Sequence, residues 1–382
     1  MRRGPCFFAL FALAAGIAGA QEPPGEKTPG EEGGKIRWQD GETVLESGSV
    51  RLSLQNRVQF RFIDELPDAK TQLAGTLAPG DSRPSFKIRR AKTRIEGSAW
   101  SRELSFEVQL SWVGGDPGAT ATSPLEDAEI VWDPRRDGAL RVHVGQYKVP
   151  FGRQEMTSSE DLQFADRSLL SGEFTHGRDV GVSLQGRIAK GRLDYMLGAF
   201  NGNQRNRPTN DNGKFQYDAR VVFQPWGDVG YSEGDFESQA KPLLALAAQF
   251  ESNDQHGATN ADDLDTSSWG GDLVFKRRGL SLFAEYFARR RRPEISPTFR
   301  SDGFNLQAGY LFWQRRLELA LRHARFDPTD KVAGNDHSEW GCVFGYFARR
   351  HHLKLQADVR RLRDDDRDTK DHEVRLQMQV VF

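Results

Sequence analysis

The chain has 382 residues, 37% of them hydrophobic and 28% charged, with a mean hydropathy of −0.65 and a formal net charge of −1. So polar a composition excludes a bundle of membrane-spanning helices, and so balanced a charge excludes the global basic field on which nucleic-acid binding relies. The length suffices for one large domain or two ordinary ones.

Met1-Arg2-Arg3, an apolar run from Cys6 to Ala20 and the ending Ala18-Gly19-Ala20 form the charged start, short hydrophobic stretch and small-residue cleavage site of a secretory signal peptide. Cleavage is expected after Ala20. The run falls short of the roughly 20 residues of a spanning helix, and no later apolar run is longer. Loss of Arg2 and Arg3 leaves a charge of about −3, and loss of Cys6 leaves Cys342 as the only cysteine, so no disulfide can form within the chain. Residues 21–35, with Pro23, Pro24, Pro29 and repeated Gly and Glu, read as a disordered lead-in, and the folded part is expected over 36–382.

From Val50 the pattern has period two: Val50, Leu52, Leu54, Val58, Phe60 and Phe62 alternate with Arg51, Ser53, Gln55, Arg57, Gln59 and Arg61. This is a strand with one apolar and one strongly polar face. The same reading places strands at 50–63, 85–99, 103–113, 125–132, 139–147, 179–186, 192–200 and 215–224, then at 242–251, 268–276, 280–289, 302–312, 317–326, 337–347, 352–362 and 372–382. Within 85–99 the alternation changes phase, which predicts a bulge at Arg89-Arg90 and leaves the facing of both arginines open. Connections alternate between short and long, and the exception is 225–241, which is long where a short turn is due.

No amphipathic helix is available to cover the apolar faces, so they call for lipid, and lipid demands that every backbone group be paired, which closure achieves. The fold class is therefore all-β, a sixteen-stranded antiparallel transmembrane barrel with short periplasmic turns, longer external loops and both termini periplasmic. Trp100, Trp112, Trp132, Trp226, Trp269, Trp313 and Trp340 fall at or near strand ends, where interfacial aromatic girdles sit; Trp38 does not. The final strand ends on Phe382, an aromatic terminus of the kind by which bacterial outer-membrane barrels are recognised.

The connection between the fifth and sixth strands carries Gly145-Gln146-Tyr147-Lys148-Val149-Pro150-Phe151-Gly152, Thr157-Ser158-Ser159, Phe164, Asp166-Arg167-Ser168-Leu169 and Gly177-Arg178-Asp179-Val180-Gly181-Val182. With Ile88-Arg89-Arg90-Ala91-Lys92, Pro225-Trp226-Gly227-Asp228 and Gln307-Ala308-Gly309-Tyr310, this resembles the phosphate-selective porin family, typified by the porins O and P. The resemblance runs from about Val50 to Phe382. It implies a bacterial outer-membrane homotrimer of sixteen-stranded barrels in which residues 148–178 fold inward as the constriction. Where the family carries Glu before Arg-Ser-Leu, this chain has Asp166.

With apolar residues facing lipid, Arg51, Arg57 and Arg61 turn into the lumen, joined by Lys92 and Arg94, by Arg90 depending on the bulge, and by Arg141 with His143 on the fifth strand. Arginine offers a fixed fork of donors to phosphate or carboxylate oxygens, so a series of them can replace the hydration of an anion without trapping it. On the same side of the barrel Glu96, Glu103, Glu107, Asp127 and Glu129 are also expected inward, and a mixture of acidic and basic walls suits a general diffusion porin with a transverse field; a plugged structural or adhesin barrel is a third reading. In the constriction loop Lys148, Arg153, Arg167 and Arg178 face either solute or the acidic residues Asp161, Asp166, Glu155, Glu160, Glu173 and Asp179, and pinning of the loop is the role a buried segment demands.

Asp364-Asp365-Asp366-Arg367-Asp368 lacks the glycine and late glutamate of a calcium loop and reads as a solvated acidic loop; His351-His352 has no cysteine nearby to make a metal site. Neither a nucleophile elbow, a phosphate-binding glycine loop nor HExxH occurs, so no enzyme, metal or cofactor is expected. The expected partners are small anions such as phosphate, outer-membrane lipid and two further copies of the chain, with no nucleic acid.

Overall fold

Side chains alternate in polarity along sixteen strands, and the structure, a computed structural model, closes these strands into one antiparallel barrel. It describes residues 34–39, 41–47, 50–70, 81–98, 101–113, 123–207, 209–238, 240–255 and 264–382. The expected signal peptide and its cleavage site, the lead-in through 33 and Trp100 lie outside the described residues.

A short hairpin comes first, β1 (Lys35–Gln39) and β2 (Glu42–Ser47), so Lys35, assigned to the lead-in from sequence, is already a strand residue. The barrel strands follow: β3 (Val50–Leu66), β4 (Arg83–Ser98), β5 (Leu104–Ser111), β6 (Leu125–Trp132), β7 (Arg141–Lys148), β8 (Arg178–Ile188), β9 (Leu193–Phe200) and β10 (Gln216–Phe223). The second half comprises β11 (Leu243–Gln255), β12 (Leu264–Arg277), β13 (Leu280–Pro293), β14 (Phe299–Phe312), β15 (Leu317–Asp327), β16 (His337–His351), β17 (Leu353–Asp364) and β18 (Thr369–Val381). Each pairs with the next, and β18 pairs back onto β3 from His372↔Leu66 to Val381↔Arg57. Asn56 and Phe382 complete the seam by exchanging backbone hydrogen bonds of 2.6 and 2.8 Å. Closure leaves neither edge of the barrel sheet unpaired, the condition for strands in hydrocarbon.

Period two then sorts the side chains. Phe60, Phe86, Val144, Leu197, Tyr217, Leu246, Leu321 and Leu355 point outward and are exposed, whereas Arg61, Gln216, Arg220, Asn305, Arg322 and Gln356 point inward and are buried. A soluble fold would hide the first set; here the polar set is hidden and the apolar set forms the outer surface. Trp112, Trp132, Trp226, Trp313 and Trp340 lie exposed at or near strand ends, Trp269 is exposed further inside β12, and Trp38 is exposed on β1.

Two bulges break the alternation where charge matters. Between β3 and β4 the register passes from Gln59↔Arg90 to Phe60↔Ile88, so Arg89 is the extra residue; between β5 and β6 it passes from Gln109↔Asp127 to Leu110↔Leu125, so Glu126 is. The bulged strand therefore turns two neighbours to the same side: Arg89 and Arg90 on one wall, Glu126 and Asp127 on the next.

Two segments fill part of the lumen. Residues 149–177, with the short helices α1 (Arg153–Met156) and α2 (Leu169–Phe174), enter from the loop end. Phe151, Leu170 and Phe174 pack on Tyr147, Phe200 and Phe287, an apolar island on the inner wall. Residues 224–242, the connection that is too long for a turn, enter from the opposite end, and Phe236 packs on Leu311 and Phe347. Glycines in the wall make the room: a β-carbon on Gly309 would overlap Nε2 of Gln163, and one on Gly341 would crowd the ring of Phe164.

Candidate functional site

Asp166, on the segment that enters from the loop end, stands at the centre of an arginine cluster. Its carboxylate pairs with Arg61 of β3, with Arg89 and Arg90 at 3.1 Å each from the β4 bulge, and with Arg375 of β18 at 3.6 Å, while Arg322 of β15 donates to its carbonyl at 3.1 Å. Burial would raise the Asp166 carboxyl, but Arg90, Arg61 and Arg89 outweigh burial and hold it well below the usual carboxylate range. One charge thus ties the segment to three adjoining strands.

The rest of the segment is tied down as densely. Arg57 binds Ser158 Oγ at 3.2 Å and Glu160 at 3.0 Å; Lys354 donates to the carbonyls of Glu160 and Leu162; Leu169 N donates to Glu339 at 2.9 Å; Arg289 and Arg291 pair with Glu173 at 3.4 and 3.1 Å. Within the segment, Arg167 donates to the carbonyls of Gln154, Glu155 and Thr157 and pairs with Glu155 at 3.3 Å, and Lys148 donates to those of Met156 and Thr157.

From the other end Glu233 meets it. Its carboxylate accepts from Gln154 Nε2 at 3.0 Å, Gln163 N at 2.8 Å and Gln307 Nε2 at 3.0 Å, and its own N–H donates to the Asp161 carbonyl at 3.0 Å. Burial, with Glu160 alongside, pushes the Asp161 carboxyl up to about 6. Arg153 donates to the Gly230 carbonyl and lies 4.6 Å over the Tyr231 ring. The two segments so interlocked occupy the lumen against β10 to β18, where inward residues such as Arg220, Glu285, Gln307, Glu318 and Gln356 are all buried.

The lumen against β3 to β8 stays open as a cavity of about 880 Å³. Ten lysines and arginines line it against five carboxylates, Glu107, Asp127, Glu129, Glu155 and Asp166. The bulges set its chemistry: Lys92 contacts both oxygens of Glu126 at 2.7 and 2.8 Å, and Arg178 forms a fork on Asp127 at 2.9 Å twice. Arg94, a quarter exposed, pairs with Glu42 of β2 at 2.9 Å. A second cavity of about 1040 Å³ opens at the other end, lined by residues of 228–237, His351 and Phe382.

Measured against the residues singled out from sequence, Arg57, Arg90, Lys92, Arg94, Lys148, Arg167 and Arg178 line the open cavity together with Asp166. Arg61 lies beneath the loop segment, 1% exposed, and its charge holds Asp166 rather than facing open lumen. Arg51 and Arg141 sit at the turn end of their strands, exposed and paired with Glu46 at 3.7 Å and Asp133 at 3.3 Å, because the strand extends past the cavity there. Arg153 and Asp161 lie on the side toward the second segment. Arg205 and Arg207 were not foreseen: they come from the connection between β9 and β10, whose Asn206 bonds Gln146 and the Leu125 carbonyl, so that Arg205 reaches Glu126 at 3.2 Å. Only the Arg-Asn-Arg spacing in a loop hinted at them. Arg207 is exposed in the cavity and makes no side-chain bond among the described residues.

Comparison with known proteins gives a family and a fold. The family model for phosphate-selective porin O and P matches residues 77–382. Among solved structures, the chain is similar to an anion-selective porin from Comamonas acidovorans, at 13% identity with a TM-score of 0.65, covering 87% of this chain and 100% of that one. It is similar to the outer membrane channel DcaP of Acinetobacter baumannii, at 12% identity and a TM-score of 0.61, with 87% and 98% covered, and to OmpT of Vibrio cholerae, at 10% and 0.56, with 91% and 100% covered. No curated protein matches at the sequence level.

Proposed function

The chain belongs to the phosphate-selective porin O and P family, and from that premise we propose that it passes small anions, phosphate-type oxyanions among them, by diffusion through the open half of its lumen. It is a porin of the bacterial outer membrane, a channel rather than an enzyme. The observation that carries the anion reading is the ten basic side chains that line the 880 Å³ cavity, against five carboxylates in the lining and eight once Glu42, Glu126 and Glu160, the partners of Arg94, Lys92 and Arg57, are included. An anion leaving water there meets guanidinium and ammonium donors at every level, none isolated enough to hold it permanently. Arg94 and Arg207, which keep the most solvent contact, meet the solute first; Arg57, Arg90, Lys92 and Arg178 set the potential while fixed in ion pairs; the segment 149–177 narrows the passage. The working unit we infer is a homotrimer, in keeping with a structural relative described in trimer form.

Glu107, Asp127 and Glu129 on β5 and β6, the strands that follow basic β4, favour a second reading, a general diffusion porin in which charges of both signs merely orient solutes. Planar bilayers separate the two. Under a salt gradient the reversal potential should have the sign of anion preference, and R94Q/R207Q should lower the anion-to-cation permeability ratio by about twofold or more. Phosphate added at low concentration should reduce chloride current. A cation-signed potential sinks the anion reading, and chloride current indifferent to phosphate leaves the general porin.

A further inference from the structure

Four Arg-Arg pairs lie at the short connections of the periplasmic end: Arg135-Arg136 between β6 and β7, Arg277-Arg278 across the end of β12, Arg315-Arg316 between β14 and β15, and Arg349-Arg350 near the end of β16. None lines the 880 Å³ cavity, while Arg349 and Arg350 line the second cavity, at the periplasmic mouth. In three pairs one member serves the protein: Arg136 pairs with Glu103 at 2.9 Å, Arg315 donates to the carbonyls of Phe236 and Glu237, and Arg350 pairs with Glu237 at 2.8 Å. The others, Arg135, Arg316 and Arg349 with both Arg277 and Arg278, are exposed and make no ion pair or side-chain hydrogen bond among the described residues.

Their placement is not what turn formation alone would select. Arg278 sits in left-handed backbone at φ +49°, where glycine or asparagine is the less strained choice. Arg277 continues the outward row of Leu273 and Phe275, Arg349 is the register partner of the outward Leu353, and exposed Trp313 sits three residues before Arg316. The free guanidiniums on three successive hairpins thus stand where the apolar outer surface gives way to the interface, the depth of lipid phosphates.

We propose that this arc of the rim binds the headgroups of anionic phospholipids in the periplasmic leaflet, with Arg277, Arg278, Arg316 and Arg349 as the phosphate ligands. Guanidinium pairs donate in a fork to phosphodiester oxygens, and a net negative lipid is preferred to a zwitterionic one because the exposed carboxylate at the arc, Glu237, is paired with Arg350 and leaves the other guanidiniums uncompensated. The proposal stands whatever solute the lumen passes.

Native mass spectrometry of the purified full-length channel, titrated with phosphatidylglycerol or phosphatidylcholine, tests it. The wild type should retain the anionic lipid about fivefold better or more. R277Q/R278Q/R316Q/R349Q should bind the two equally, R277Q/R278Q/R316Q, which leaves Arg349 at the mouth in place, should lose most of the preference at wild-type single-channel conductance, and the four-lysine variant should keep the preference. Equal binding of both lipids by the wild type, or an undiminished preference in the glutamine variant, overturns the proposal. So does loss of co-sedimentation with peptidoglycan sacculi in the glutamine variant with its lipid preference intact, which would assign the arc to the cell wall.

Discussion

Asp166 sits where the loop segment meets the barrel wall. Four guanidiniums converge on its carboxylate, and a fifth takes its carbonyl. In D166N those four lose their shared counter-charge, a change that for a buried cluster costs about 3 to 5 kcal/mol. The barrel wall is untouched, so the cost should appear as a loosened segment: noisier single-channel current, with anion permeability raised by the removed negative charge. Unchanged noise and selectivity would mean that the segment is held without Asp166. The sign of the pH effect follows from the depressed carboxyl. Its stabilising contribution is present above the free value of 3.8 and is lost only as pH falls through the folded value, well below that, so acidification to pH 4 should leave the wild-type channel quiet.

At the scale of elements, two inward segments divide the lumen. The sequence marked both, one by its family-like motif and the other by being too long for a periplasmic turn, but the direction of the second was not legible. Its anchor Glu233 has no local pattern; it finds Gln154, Gln163 and Gln307 only because β14 and the first segment bring them together. The strand bulges divide in the same way. The phase change at Arg89-Arg90 was visible, whereas Glu126-Asp127 sits in a strand too short for a break in alternation to stand out. If the second segment blocks half the bore, then replacing residues 229–237 by a short Gly-Ser link should raise single-channel conductance by about twofold or more and weaken the anion preference as wall carboxylates such as Glu285 and Glu318 meet water. Conductance equal to the wild type would show that the segment stands outside the current path.

For the whole molecule, period two was enough to give sixteen strands, their order and their facing, because one residue's error in register would move every charge into lipid. The charge balance of the bore was not legible, since it depends on which loop tips return: Arg205 and Arg207 arrive from a connection whose path is set by Asn206 on Gln146. The facing itself can be tested on a native residue. Cys342 lies on the outward side of β16 between Trp340 and Phe344, exposed, with Leu321 and Val359 as its register neighbours. The other cysteine, Cys6, lies in the expected signal peptide. In reconstituted channels a charged, water-soluble maleimide should therefore leave Cys342 unmodified, because a thiol facing hydrocarbon does not meet the reagent. The aqueous side of the wall needs its own control: H143C, on β7 at the cavity, should react with the same reagent in a C342S background and lower the conductance. Modification of Cys342 at the rate of that control would place the apolar face toward water, and the channel would then have no wall for lipid to surround.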